Sequence, residues 1–180
     1  MIDYYNIHSS INFFEDKGYK RIESPWTVTP SISAITKPKD CIDYEIKHNK
    51  KVLVASGEQS FLYLYLKGFL PKGRYQTVTP CFRDEIFDEI HTKYFIKNEL
   101  IITDKVDQHN LSVLINQCKE FFESILLTEV HKIQTDFGFD LYYKNIELGS
   151  YGIRECNYLK WIYGTACAEP RLSYCKNLPK

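Results

Sequence analysis

The sequence predicts an α+β fold, an antiparallel β-sheet with helices packed on it. Three observations point there. Two β-rich stretches, residues 74–83 and 94–103, bracket a polar segment; one long stretch, 107–133, has helical periodicity; and further extended segments follow it.

Taken in order, Tyr4, Ile7, Ile11 and Phe14 lie at helical spacing within residues 4–17, and Gly18 supplies a C-terminal cap. A strand over 19–23 runs into Pro25, whose missing N–H ends a ladder. The run KVLVA at 51–55 reads as a buried strand, and 59–68 as a Tyr/Leu-rich helix stopped by Gly68. Residues 74–83 and 94–103 are strands, with 84–93 between them as a hairpin loop. Over 107–133, Leu111, Leu114, Ile115, Cys118, Phe121, Phe122, Ile125, Leu126 and Val130 recur at three- and four-residue steps, with Asp104 or Asp107 as N-cap. That stripe is core packing rather than a cofactor box. Residues 139–143, 146–148 and 159–165 read as further strands, and the stretch after Arg171 supplies only a short helix.

The chain has 180 residues, enough for one domain over 1–180 with a substantial core. Lys+Arg and Asp+Glu both total 23, so no broad basic field points to nucleic acid or to a membrane surface. Recognition must be local. The six cysteines form no CxxC pair and no zinc spacing, and the start lacks a signal-peptide pattern, so reduced thiols in a soluble, cytoplasmic protein are expected. No stretch approaches the roughly 20 apolar residues of a membrane span.

Three groups carry chemistry. The first is Phe82-Arg83-Asp84-Glu85, a loop containing His91, then Tyr94-Phe95 with Glu99. Arg83 there is either a surface salt-bridge partner or a guanidinium fork that grips a phosphate. The second is Asp140, Glu147 and Arg154 at seven-residue steps. The two carboxylates are either solvated strand-end acids or a pair converging on Mg²⁺ and nucleotide phosphates. The third is GTACAEPR, from Gly164 to Arg171. Small residues at every second position either let a flat group approach one face of the strand or allow tight packing of a helix.

In this order the groups resemble the catalytic core of the class II aminoacyl-tRNA synthetases. Gly18 to Pro25 is similar to motif 1, which in the family builds a dimer interface. Phe82-Arg83-Asp84-Glu85 through Glu99 is similar to motif 2, and Gly164 to Arg171 to motif 3, with alanines in place of two glycines. The stretch from Phe139 through Glu147-Leu148-Gly149-Ser150-Tyr151-Gly152-Ile153-Arg154 resembles aspartyl- and asparaginyl-tRNA synthetases and ammonia-dependent asparagine synthetase.

The resemblance implies a class II synthetase-like antiparallel sheet flanked by helices. The implied reaction is ATP-dependent activation of an Asp- or Asn-like amino acid as its adenylate, with release of pyrophosphate and transfer to an acceptor. Arg83 would hold the α-phosphate and the substrate carboxylate, and Arg171 would stack on adenine and reach the γ-phosphate. Glu85 and His91 would sit near adenine and phosphates, and Asp140 and Glu147 would hold Mg²⁺. Arg154 would face the substrate side chain, Glu58 or Gln59 would receive its α-amino group, and Glu99 would complete that subsite. The expected partners are ATP, an amino acid and a second copy of the chain. No anticodon-binding domain fits in 180 residues, which makes tRNA a less favoured acceptor. The other reading is a synthetase-like binding or regulatory module without turnover.

Overall fold

The structure, a computed structural model, describes residues 1–37, 41–84, 92–157 and 159–179. The elements, in order, are α1 (Tyr4–Asp16), β1 (Lys20–Arg21), β2 (Thr27–Val28), α2 (Pro30–Thr36), β3 (Glu45–Ile46), β4 (Lys51–Leu53), α3 (Gly57–Leu66), β5 (Arg74–Phe82) and β6 (Tyr94–Ile102). They continue with α4 (Gln108–Leu126), β7 (His131–Thr135), β8 (Gly138–Tyr143), β9 (Ile146–Cys156), β10 (Leu159–Glu169) and α5 (Arg171–Lys176).

Seven strands form one sheet in the order β1-β5-β6-β10-β9-β8-β7, and β2-β4-β3 form a small second sheet. Only β1 and β5 pair in parallel; every other neighbouring pair in the large sheet is antiparallel. The expected α+β architecture is therefore present.

Alternation along the strands builds two cores. On one face Leu100, Ile102 and Ile162 meet α1, α4 and α5. Helix α4 presents Leu111, Leu114, Ile115, Cys118, Phe121 and Phe122 there, all buried, and each large apolar side chain so buried contributes roughly 1.5–3 kcal/mol. On the other face Tyr75, Ile101, Trp161 and Tyr163 meet α3, α2 and the small sheet.

Helix ends follow local chemistry. The Asp3 carboxylate accepts from Tyr5 N at the start of α1. Gly18, at φ +88°, lets the chain fold back so that Gly18 N donates to Glu15 O and Tyr19 N to Phe14 O. Asp107 caps α4 by accepting from Asn110 N at 2.7 Å.

Several boundaries differ from the sequence reading. The long helix stops at Leu126 rather than Ile133, because Leu127 turns into the left-handed region (φ 54°) and the Glu123 carboxylate accepts from Val130 N at 3.0 Å. Residues beyond it become β7, an edge strand whose side chains are nearly all exposed, so it shows no period-two burial for a sequence to reveal. The strand expected over 19–23 contracts to Lys20–Arg21. Those expected over 146–148 and 159–165 extend to Cys156 and Glu169, since β9 and β10 pair along Leu159↔Cys156 to Gly164↔Tyr151. The helix α2 and the strands β2 and β3 were not anticipated. All six cysteines are free thiols. Among the described residues no helix is long and apolar enough to cross a membrane.

Candidate active site

A cleft of about 260 Å³ opens on the α3 face of the large sheet. Its walls come from the α2–β3 connection, the N-terminus of α3, the ends of β5 and β6, the middle of β9 and β10, and the first residue of α5. Of the residues singled out in the sequence, Arg83, Glu58, Gln59, Glu99, Glu147, Arg154 and Arg171 all line it. Glu85 and His91 lie outside the described residues.

Strand alternation aims these side chains. Phe95, Lys97 and Glu99 lie at every second position of β6, opposite Cys81, Thr79 and Thr77 of β5. The chain continues from β5 into Arg83, whose N–H donates to Lys93 O at 3.0 Å. Its guanidinium lies over the Phe95 ring, 5.1 Å from the centroid, and Nε donates to Ala55 O at 3.1 Å. The fork is thus fixed on a strand end, not splayed on an open surface.

Ser56 caps α3 by accepting from Glu58 N, and its hydroxyl donates to Glu99 at 2.8 Å. Gly57 N donates to the same carboxylate, and Lys97 Nζ pairs with it at 2.8 Å. A Cβ on Gly57 would come within 2.9 Å of Glu99 Oε2, so the close approach of helix and strand needs glycine. Burial pushes the Glu99 carboxyl up, but Lys97, the Ser56 hydroxyl and Arg83 outweigh it and hold the acid below the ordinary glutamate range.

Deeper in the cleft Glu58 is buried, with Arg154 paired to one oxygen and Trp161 Nε1 donating to the other at 2.6 Å. Burial pushes the Glu58 carboxyl up, and Arg154 and Trp161 only partly offset this. The guanidinium carbon of Arg154 lies over the Tyr163 ring, 4.1 Å from its centroid. Gln59 is turned away from the opening: Oε1 accepts from Ala55 N at 2.8 Å and Nε2 donates to Ser33 Oγ at 3.1 Å.

At the other end Arg171 Nη1 donates to Glu147 O at 3.1 Å and approaches Glu147 Oε1 at 3.4 Å. Asp140, on β8, stands beside the cleft rather than in its wall, and accepts from the cleft residue Ser150 at 2.6 Å. Burial pushes Asp140 up; the Glu147 charge adds to this and Ser150 opposes it. A cation between these two carboxylates would relieve their repulsion, and Mg²⁺, which keeps waters and takes phosphate oxygens, needs no more than two protein acids. Among the described residues no group of three or more metal-ligating side chains occurs.

The small-residue stripe of β10 behaves differently from either simple reading. A Cβ on Gly164 would meet Leu114 Cδ2 at 2.6 Å, and Ala166 is buried with the α1/α4 core. Both therefore serve helix packing. The register shifts between Thr165 and Cys167, a bulge that turns Ala168 to the cleft face that Thr165 also lines. Lys97 and Tyr163 were missed by sequence reasoning as cleft residues, as was Trp161, which is buried behind the cleft against Glu58. The signal was available for each, since Lys97 stands two before Glu99, and Trp161 and Tyr163 stand at period two before Thr165.

Five cations (Lys37, Arg83, Lys97, Arg154, Arg171) face three carboxylates (Glu58, Glu99, Glu147) around the cleft, which favours an anionic ligand. Lys37 is itself paired with Asp43 at 2.7 Å.

No family model matches the sequence, and no curated protein matches it. Solved structures do match the fold. Pyrrolysyl-tRNA synthetase from Desulfitobacterium hafniense has a TM-score of 0.74 at 16% identity, over 93% of this chain and 67% of that one. Seryl-tRNA synthetase from Pyrococcus horikoshii, complexed with ATP, has a TM-score of 0.77 at 16% identity, over 94% and 48%. Cytoplasmic serine-tRNA ligase from Naegleria fowleri, in complex with AMP, has a TM-score of 0.72 at 18% identity, over 94% and 47%. The chain thus spans about half the length of the seryl enzymes. The fold is that of the class II aminoacyl-tRNA synthetase catalytic cores. These neighbours are pyrrolysyl and seryl enzymes, so fold likeness lends nothing to the narrower resemblance to aspartyl and asparaginyl enzymes.

Proposed function

We propose that the chain is an ATP-dependent ligase of the class II synthetase type. It activates an amino acid as its adenylate, releases pyrophosphate and passes the aminoacyl group to an acceptor. The observation that carries this is the convergence of Arg83 and Arg171, distant from each other in sequence, on one cationic cleft. A likeness to a seryl enzyme complexed with ATP supports the choice of nucleotide.

In this reading Arg83 neutralises the α-phosphate and the substrate carboxylate as charge develops during attack, and Arg171 holds adenine and the terminal phosphate. Asp140 and Glu147 are the residues that would hold Mg²⁺, which supplies charge neutralisation of the phosphates. Glu99, kept ionised by Lys97, is assigned to the substrate ammonium. Glu58, paired with Arg154 and accepting from Trp161 Nε1, positions that arginine.

Arg154 enters the cleft with its charge compensated by Glu58. An uncharged amide side chain therefore suits it better than a second carboxylate, and asparagine is proposed ahead of aspartate. The exposed Trp26, next to the segment from Gly18 to Pro25, suits a homodimer through that element.

The experiment is amino-acid-dependent exchange of pyrophosphate into ATP across the twenty amino acids. Exchange with one amino acid, strongest for asparagine, is expected; folded protein giving no exchange with any overturns the enzymatic reading. The second reading, a binding module without turnover, is favoured by one observation: Glu58 with Arg154, and Arg171 with Glu147, already satisfy one another. Calorimetry separates the two, since tight amino-acid binding without ATP synergy belongs to the module.

A further inference from the structure

We infer that Asn6, Glu169 and Ser173 are positioning residues for Arg171: a hydrogen-bonded cluster between α1 and the junction of β10 with α5 sets the place from which the Arg171 guanidinium enters the cleft. Resting on the proposed assignment of Arg171 to ATP, this makes the first helix of the chain a determinant of how tightly the cleft holds the terminal phosphate. Arg171 lines the cleft, whereas Asn6, Glu169 and Ser173 lie behind it.

Glu169 ends β10 and is buried, one residue past Ala168, so strand alternation turns it to the α1 side while Ala168 faces the cleft. Its Oε1 accepts from Asn6 Nδ2 at 2.7 Å, and its Oε2 accepts from Ser173 Oγ at 2.6 Å and from Asp3 N at 3.3 Å. Asn6 Nδ2 also reaches Ser173 Oγ at 3.3 Å, and Lys176 Nζ donates to Asn6 Oδ1 at 3.2 Å. Arg171 stands midway between Glu169 and Ser173 in sequence, so the cluster grips the chain on both sides of it.

Helix α5 cannot hold that arginine still by its own stability. It has 6 residues, far short of the roughly 12 at which a helix begins to persist alone, and Pro170 at its N-cap supplies no side-chain cap. Its place is set by what it is tied to: Leu172 and Cys175 pack into the core, and the Asn6 cluster fixes the turn that carries Arg171. The guanidinium is met in front by Glu147 O at 3.1 Å, and its backbone is held from behind. Asn6 is otherwise out of place, a fully buried amide on the helix face that also buries Ile7, Ile11 and Phe14. A buried amide costs stability unless it is hydrogen-bonded, and a leucine would fill that face as well. Its partners Glu169, Ser173 and Lys176 all belong to the segment around Arg171.

The test is calorimetry of ATP and of AMP, each with Mg²⁺, on the full chain. Asn6→Leu removes the hydrogen bonds of that side chain at similar volume and should weaken ATP binding about tenfold. AMP should lose less, since it has no terminal phosphate for Arg171 to hold. Ser173→Ala, a smaller change at a partly buried hydroxyl, should weaken ATP binding about fivefold and decides the matter if Asn6→Leu does not fold. Glu169→Gln, which keeps an acceptor for Asn6 and a partner for Ser173, should stay within about threefold of the parent. His8→Ala, on the exposed side of α1, should change nothing. Unchanged ATP binding in Asn6→Leu and Ser173→Ala would overturn the inference, and so would equal losses for ATP and AMP, the result of a fold merely loosened. A parent chain that does not bind ATP overturns the assignment of Arg171 and the inference together, which tells that failure apart from a failure of the cluster alone.

Discussion

Glu58 and Arg154 lie 96 residues apart in sequence and form an ion pair at the floor of the cleft, with Trp161 donating to the second Glu58 oxygen. The pair joins helix α3 to strand β9, so the same contact that shapes the cleft also fastens the small-sheet side of the fold to the large sheet. It is buried on the Glu58 side and 38% exposed on the Arg154 side.

Removing one partner leaves the other, and the Trp161 N–H, without a counterpart. Glu58→Ala should lower stability by about 3 kcal/mol, read from the urea midpoint. A loss under about 1 kcal/mol would contradict a structural role for the pair.

Glu99 gives a pH dependence of known sign. Its folded carboxyl is held below the ordinary value, so it contributes stability above the unfolded pKa of about 4.3 that is lost as pH falls through the lower folded value. Glu58 is shifted the opposite way and contributes a loss of stability as pH rises above the ordinary range. Glu99→Gln should therefore flatten the acid limb of a thermal-melting profile between pH 6 and 3. A variant whose acid limb matches the parent would show that Lys97 and Ser56 do not stabilise the ionised form.

The β10 bulge predicts a contrast between two small residues. Gly164→Ala puts a methyl group against Leu114 and Tyr151 and should destabilise the chain by about 1–3 kcal/mol. Ala168→Val, on the cleft side, should weaken ATP binding in calorimetry more than it changes the melting temperature. If both acted on stability alone, the bulge would not be separating the two faces.

Arg83→Ala and Arg171→Ala should each reduce ATP–pyrophosphate exchange by a hundredfold or more, about 2.7 kcal/mol of transition-state stabilisation, with far-ultraviolet circular dichroism unchanged. Arg171→Lys should recover little, since a lysine lacks the planar fork. Near-normal exchange in Arg83→Ala would remove the residue from the phosphate site.

Thiol reactivity should divide the six cysteines. Cys41 and Cys156 are partly exposed and should react quickly with a disulfide reagent at pH 8, while the buried Cys81, Cys118, Cys167 and Cys175 react only on unfolding. Burial pushes the Cys81 thiol up to about 11, with the Glu99 charge adding to the effect, which suppresses its thiolate further. Rapid labelling of four or more thiols in the native chain would contradict this burial.

Much of the framework was legible because it is local. The apolar stripe of α4, the Gly18 cap of α1 and the paired strands around Arg83 each follow from spacing or from one residue's conformational preference. The β7 edge was not, because its exposed side chains carry no alternating signal, and the helical stripe before it ran on through Val130. Among the site residues, Arg83, Arg154 and Arg171 could be picked out by motif, whereas Lys97 and Tyr163 required knowing which face of the sheet holds the cleft.

The sequence by itself determined that helices cover an antiparallel sheet and that arginines stand at the ends of particular strands, since helical and extended periods are properties of a few consecutive residues. Only the tertiary structure decided that Glu58 closes on Arg154, that Gly164 faces a helix while Ala168 faces the cleft, and that Asn6 meets Glu169. Each of these depends on strand register, a bulge or a contact between distant segments, and such relations are fixed by the packing of the whole chain rather than by any stretch of it.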